Sequence, residues 1–199
     1  MTRTTKLKIA YFLVLVLLVV AALAVSAVFR SSLAALVLIG AVLLLPGRIQ
    51  AVVYRDLYTA RRLMAAGKAA ESIECTRRFL GMIRRNPGNK KLLWASWSVY
   101  TVDVEAMALN NLGAAHLERG EVEAAERAFE EALRLDPEYA IPSFNLAVIA
   151  GARGDREAAE RHVAQAVKHG YRIVKVERAI QLGQALRERA EGAQPAVSG

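Results

Sequence analysis

The chain is poor in the residues that usually carry chemistry. Its 199 residues include one cysteine, Cys75, and three histidines. A lone cysteine excludes an intramolecular disulfide and fits a reducing compartment. His116, His162 and His169 stand at no ligand spacing with Cys75, so no metal site is expected. No glycine-rich phosphate loop follows a strand, and no segment reads convincingly as a strand. No nucleophile and base fall in a recognisable pattern. The three histidines lie in predicted helices, His116 at a packing position, and Cys75 has no evident partner. The reading is therefore not an enzyme, with no catalytic residues and no cofactor.

Acidic residues are also missing from the first 47 positions, where Arg3, Lys6, Lys8 and Arg30 give +4. Residues 48–104 hold 11 Lys/Arg against 4 Asp/Glu, and residues 105–199 hold 12 against 15. The formal charge of +8 is thus confined to the N-terminal half. A nucleic-acid binder more often carries its basic stripe on the folded domain itself, so no nucleic-acid partner is expected. Anionic lipid headgroups facing the basic 48–104 region are the simpler partner.

Hydrophobic residues make up 54% of the chain, and the excess sits early. After a basic flank at 1–8, Ile9 to Phe29 has Ser26 as its only polar side chain. That run is long enough for a hydrocarbon core of roughly 30 Å. A second run, Leu33 to Leu45, ends at Pro46-Gly47 and is short for a span unless counted from Ser31 to about Ile49 with Arg48 snorkelling. The expectation is a transmembrane helical hairpin over 9–47, with spans of about 9–29 and 31–49. Arg3, Lys6 and Lys8 precede it and Arg48, Arg55, Arg61 and Arg62 follow it, which orients both ends to the cytoplasm. The placement that follows is a two-span protein of the bacterial cytoplasmic membrane with both termini cytoplasmic. A cleaved signal peptide competes, with Val25-Ser26-Ala27 as its site, but the apolar run exceeds the usual h-region.

Residues 51–86 read as two helices broken at Gly67, part of a basic juxtamembrane region, 48–104, that is a candidate degenerate repeat. Asn86-Pro87-Gly88-Asn89 has turn chemistry. Lys90 to Tyr100 places Trp94, Trp97 and Tyr100 at helical spacing. Those rings suit either packing on the next helix or a membrane interface. Asp103 is a candidate helix cap.

The remainder is organised around Ala106 to Tyr139. Small or apolar residues recur at Leu109, Leu112, Gly113 and His116, then at Ala125, Phe129 and Ala132. These spacings define the inner faces of two helices. Gly120 suits a helix-ending residue of positive φ, and Pro137 stops the second helix. Gly113 lets the second helix approach, and Phe129 fills the gap. The pattern resembles the tetratricopeptide repeat, a 34-residue helix–turn–helix unit, with His116 and Leu109 where the family prefers aromatics. Residues 140–173 repeat it more loosely through Leu146, Ala147, Gly154, Ala159, Val163 and Ala166, with Tyr171 in place of proline. The expected fold is all-α: the hairpin, then a short α-solenoid of antiparallel helix pairs with two units (106–139 and 140–173) within 105–173. Residues 174–190 would cap the stack, ahead of a disordered tail at 191–199.

The resemblance implies a concave groove lined by the first helix of each unit. It implies that Asn111 and Asn145 contact the backbone of a bound peptide, although both also fit as ordinary polar surface residues. Asn110, Ala114, Leu117, Phe144 and Val148 complete the candidate partner-binding groove. The lining lacks a Lys/Arg cluster, so an extended or helical apolar segment of a partner protein suits it better than a terminal carboxylate. Glu126, Glu130 and Glu131, beside Arg127 and Arg134, read as a solvated face. The function expected is a membrane-anchored interaction module or scaffold. The alternative makes the hairpin the working part, by oligomerisation or bilayer shaping, with the repeats as a structural cap.

Overall fold

A computed structural model describes residues 3–29, 32–95, 101–171 and 175–192. Its described residues are helical with no strand: α1 (Arg3–Phe29), α2 (Ser32–Val53), α3 (Arg55–Ala65), α4 (Ala69–Arg85), a 3-10 helix (Pro87–Ala95), α5 (Val104–Glu118), α6 (Val122–Leu135), α7 (Ala140–Ala152), α8 (Arg156–Lys168) and α9 (Val176–Gly192). Three helix–turn–helix pairs, α3–α4, α5–α6 and α7–α8, stack in sequence order, α4 on α5 and α6 on α7. Helix α9 packs mainly on α7.

The three turns are built alike. Gly67, Gly120 and Gly154 have φ of 72°, 72° and 75°, the left-handed conformation that costs glycine least. In each, the residue after the glycine donates its N–H to a carbonyl five residues back: Lys68 to Leu63 at 2.9 Å, Glu121 to His116 at 2.9 Å, Asp155 to Ala150 at 3.0 Å. These bonds satisfy carbonyls that a helix end leaves open. Helix α8 ends the same way at Gly170, with Tyr171 N–H on Ala166 O at 3.0 Å. That is why its end needs no proline. Asp103 caps α5 by accepting from Glu105 N (2.7 Å) and Ala106 N (3.3 Å).

The core has three parts. Tyr54, Leu57, Phe79, Ile83, Leu93 and Leu109 form the first. The Tyr54 ring meets Phe79 edge-on at 5.3 Å, and its hydroxyl donates to Asn89 O at 2.8 Å. Phe129 and Ala125 meet Leu146 and Ile149 in the second. Phe144, Val148 and Val163 meet Ala179 in the third.

Two expectations are corrected. Among the described residues no helix is long and apolar enough to cross a membrane, which overturns the two-span placement in a membrane. Helix α1 carries Lys6 and Lys8 in its first turns, and its apolar run begins only at Ile9. In α2 the apolar run is shorter, and Pro46 lies inside the helix. The described apolar side chains of α1 include exposed Phe12, Leu13 and Leu17, while Gln50 near the end of α2 donates to Leu92 O at 3.0 Å. The other correction concerns the segment after the turn at Asn86. Residues 87–95 form a 3-10 helix, because Pro87, Gly88 and Asn89 favour the tighter turn over an α-helix. Trp97 and Tyr100, the turn at Arg30-Ser31 and the tail from 193 onward lie outside the described residues.

Candidate functional site

The groove begins with a hydrogen bond between successive helix pairs. Asn145 of α7 donates through Nδ2 to Asn110 Oδ1 of α5 at 3.0 Å. Asn110 is buried, so it serves as a strut beneath the surface rather than a contact. The neighbouring Asn111 is half-buried, and its Nδ2 has no hydrogen-bond partner among the described residues. Ala114 is half-buried on the same helix.

Beside this strut a cleft of about 220 Å³ opens between α5, α7 and α9. Leu117 and Glu118 line it from α5, and Phe144, Asn145 and Val148 line it from α7. Helix α9 contributes Leu182, Ala185, Leu186 and Arg189. Leu117, Phe144, Asn145 and Val148 are thus brought together, whereas Asn110, Asn111 and Ala114 do not line this cleft. Phe144 is anchored from behind by stacking on Tyr171, centroids 5.2 Å apart.

The wall from α9 was missed by a reading that treated 174–190 only as a cap. Its signal was present, since Leu182, Ala185, Leu186 and Arg189 follow the i, i+3, i+4, i+7 rule for one helix face. What places α9 there is a close crossing of two glycines. A methyl at Gly183 would lie 2.5 Å from Val148 O and 2.6 Å from the Gly151 carbonyl carbon. A methyl at Gly151 would lie 2.9 Å from Ile180 Cα. The backbones of α7 and α9 therefore touch, and α9 lies mainly on the first helix of the preceding pair.

Within the preceding unit, Gly113 faces the Phe129 ring so closely that a methyl would stand 2.5 Å from Cε1. Ala125, Phe129 and Ala132 are fully buried. Residues 106–139 match the family model for the tetratricopeptide repeat. This segment is a tetratricopeptide repeat. No curated protein matches the chain. Leu117 of the groove lies in the repeat itself. Phe144, Asn145 and Val148 come from the helix pair that follows.

Ion pairs tie the repeat to its neighbours. Arg84 of α4 reaches Glu105 and Glu131, each at 2.7 Å, and Lys90 reaches Glu105 at 2.6 Å. Burial is the largest single influence on Glu105 and pushes its carboxyl up. Hydrogen bonds from Lys90 and Arg84, with their charges, outweigh it and hold the carboxyl below its ordinary value. Arg153 grips Glu126 through two bonds of 2.7 and 2.6 Å, and these bonds hold Glu126 below its ordinary value against partial burial. Glu126 and Glu131 were read as members of a solvated face with Arg127 and Arg134. On that face they link α6 to its neighbours, because the stacked helices bring Arg84 and Arg153 within reach.

A second hollow, about 360 Å³, lies between α4 and the α5–α6 turn. Its charges are already matched: Glu71 with Lys68, Glu74 with Arg77, Arg119 with Glu121. Buried His116 places Nδ1 2.5 Å from Glu121 Oε2, which joins the end of α5 to the start of α6. Among the described residues, no group of three or more His, Cys, Asp and Glu is arranged to hold a metal ion.

Proposed function

We propose that this protein is an interaction module that holds an apolar segment of a partner protein in the cleft between α5, α7 and α9. Tetratricopeptide repeats are typically protein-binding modules rather than catalysts, and residues 106–139 are such a repeat. The observation that carries the proposal is the cleft itself, with Leu117, Phe144, Val148, Leu182 and Leu186 converging on it. Its volume of about 220 Å³ is below the roughly 300–1,000 Å³ of typical small-molecule sites. That size suits an apolar side chain projecting from a protein segment. Asn145 sits at the cleft with its amide N–H committed to Asn110, which leaves its carbonyl to accept from the segment's backbone.

The test compares capture of cellular proteins by wild type, Ala185→Trp and Glu130→Trp. Ala185 is exposed and lines the cleft, so the indole fills the cleft without entering the core. Glu130 is exposed on α6, outside the cleft. A partner lost with Ala185→Trp and kept with Glu130→Trp supports the proposal. Capture unchanged by Ala185→Trp removes the function from this cleft.

A further inference from the structure

The cleft has opposite charges on its two sides, and among the described residues neither is paired. Glu118 lies at the C-terminal end of α5, on one side. Arg189 lies in the last turns of α9, on the other. Both are exposed. Of the charged residues that follow Glu118, Arg119 and Glu121 pair with each other, and Arg153 after α7 pairs with Glu126. An unpaired acid and an unpaired base flanking one apolar hollow form a bipolar frame.

We infer that the cleft recognises a protein segment of fixed polarity: one large apolar side chain in the hollow, a basic residue toward Glu118 and an acidic residue toward Arg189. This rests on the proposed function above and adds direction to it. The apolar walls supply affinity, because burying a large side chain removes its surface from water. The charges supply orientation, because a reversed segment would set like charges against each other at both ends. Arg189 is suited to a carboxylate, since its planar fork donates two parallel bonds. Apolar contact alone does not distinguish the two directions of a segment across α5, α7 and α9, whereas this frame does.

The test is a selection of random twelve-residue peptides displayed on phage against the full chain, run in parallel on wild type and on Glu118→Arg/Arg189→Glu. Both substituted positions are exposed, so folding is preserved and is checked by thermal unfolding. Wild type is expected to enrich peptides with a basic residue on one side of a large apolar residue and an acidic residue on the other. The double variant is expected to enrich the inverted order. Each mismatched charge on an exposed rim should weaken binding about threefold, and both together about tenfold. Selected peptides that Ala185→Trp fails to bind, but that show no charge order or no inversion, overturn the polarity while leaving the cleft as the site. Peptides that bind Ala185→Trp as well as wild type overturn both.

Discussion

Replacing Gly183 with alanine sets two effects of opposite sign against each other. In a helix interior, alanine is favoured over glycine by roughly 0.8–1 kcal/mol. At Gly183, however, the added methyl would meet Val148 O at 2.5 Å and the Gly151 carbonyl carbon at 2.6 Å. These are backbone atoms, so no rotamer change relieves the clash and α9 must move off α7. Overpacking of this kind typically costs about 1–3 kcal/mol, and the rigid neighbours place Gly183 toward the upper end. The expected net loss is about 1–2 kcal/mol, or about 2–8 °C in Tm for a chain of this size. Gly81 in α4 is the matched control, because a methyl there would find only the mobile end of the Arg85 side chain, Nη1 at 3.6 Å being nearest. Gly81→Ala should therefore stabilise by up to about 1 kcal/mol. Thermal unfolding by circular dichroism reads both, and hydrogen exchange of α9 amides reports whether α9 has loosened. A Gly183→Ala protein as stable as Gly81→Ala, with α9 still protected, would refute the close crossing.

Three further outcomes follow from the packing and the ion pairs. Phe129→Ala removes a fully buried ring between Gly113 and Leu146 and should cost about 3–5 kcal/mol in denaturant unfolding. Asp136→Ala should cost about 2–3 kcal/mol, because its carboxylate accepts from Thr101 Oγ1 and from Val102 N–H and Glu138 N–H; the same unfolding experiment checks it. Glu105 has a lowered carboxyl pKa in the folded chain, so its contribution is present above the ordinary carboxylate value. It is lost as pH falls below that value and through the lowered one. Wild-type stability should therefore fall more steeply across that acidic window than that of Glu105→Gln, which has no carboxyl to protonate.

The repeat was legible because its determinants are local. Gly113, Gly120, Phe129 and Pro137 fall within one 34-residue period, and each acts on a neighbour in the same helix pair. The same held for Gly67, Gly154 and the cap at Asp103. The close crossing that places α9 was not legible, because Gly151 and Gly183 meet across it, and no periodicity within either helix announces that contact. The partners of Glu126 and Glu131 were not legible for a related reason: Arg153 and Arg84 come from neighbouring helices, and spacing along α6 does not announce them. Asn110 was placed in the groove by its spacing, but burial beneath Asn145 makes it a strut. At the N-terminus, hydropathy read along the sequence implied two membrane spans, and no described helix is long and apolar enough to be one.

The most direct test of the cleft places a photo-crosslinking amino acid at Ala185, and in separate proteins at Leu117 and at Glu130, with each full-length chain expressed in its native cells. The expected result is one partner crosslinked from Ala185 and Leu117, on opposite walls of the cleft, and not from Glu130. Crosslinks from Glu130 with none from Ala185 or Leu117 would contradict a binding site between α5, α7 and α9.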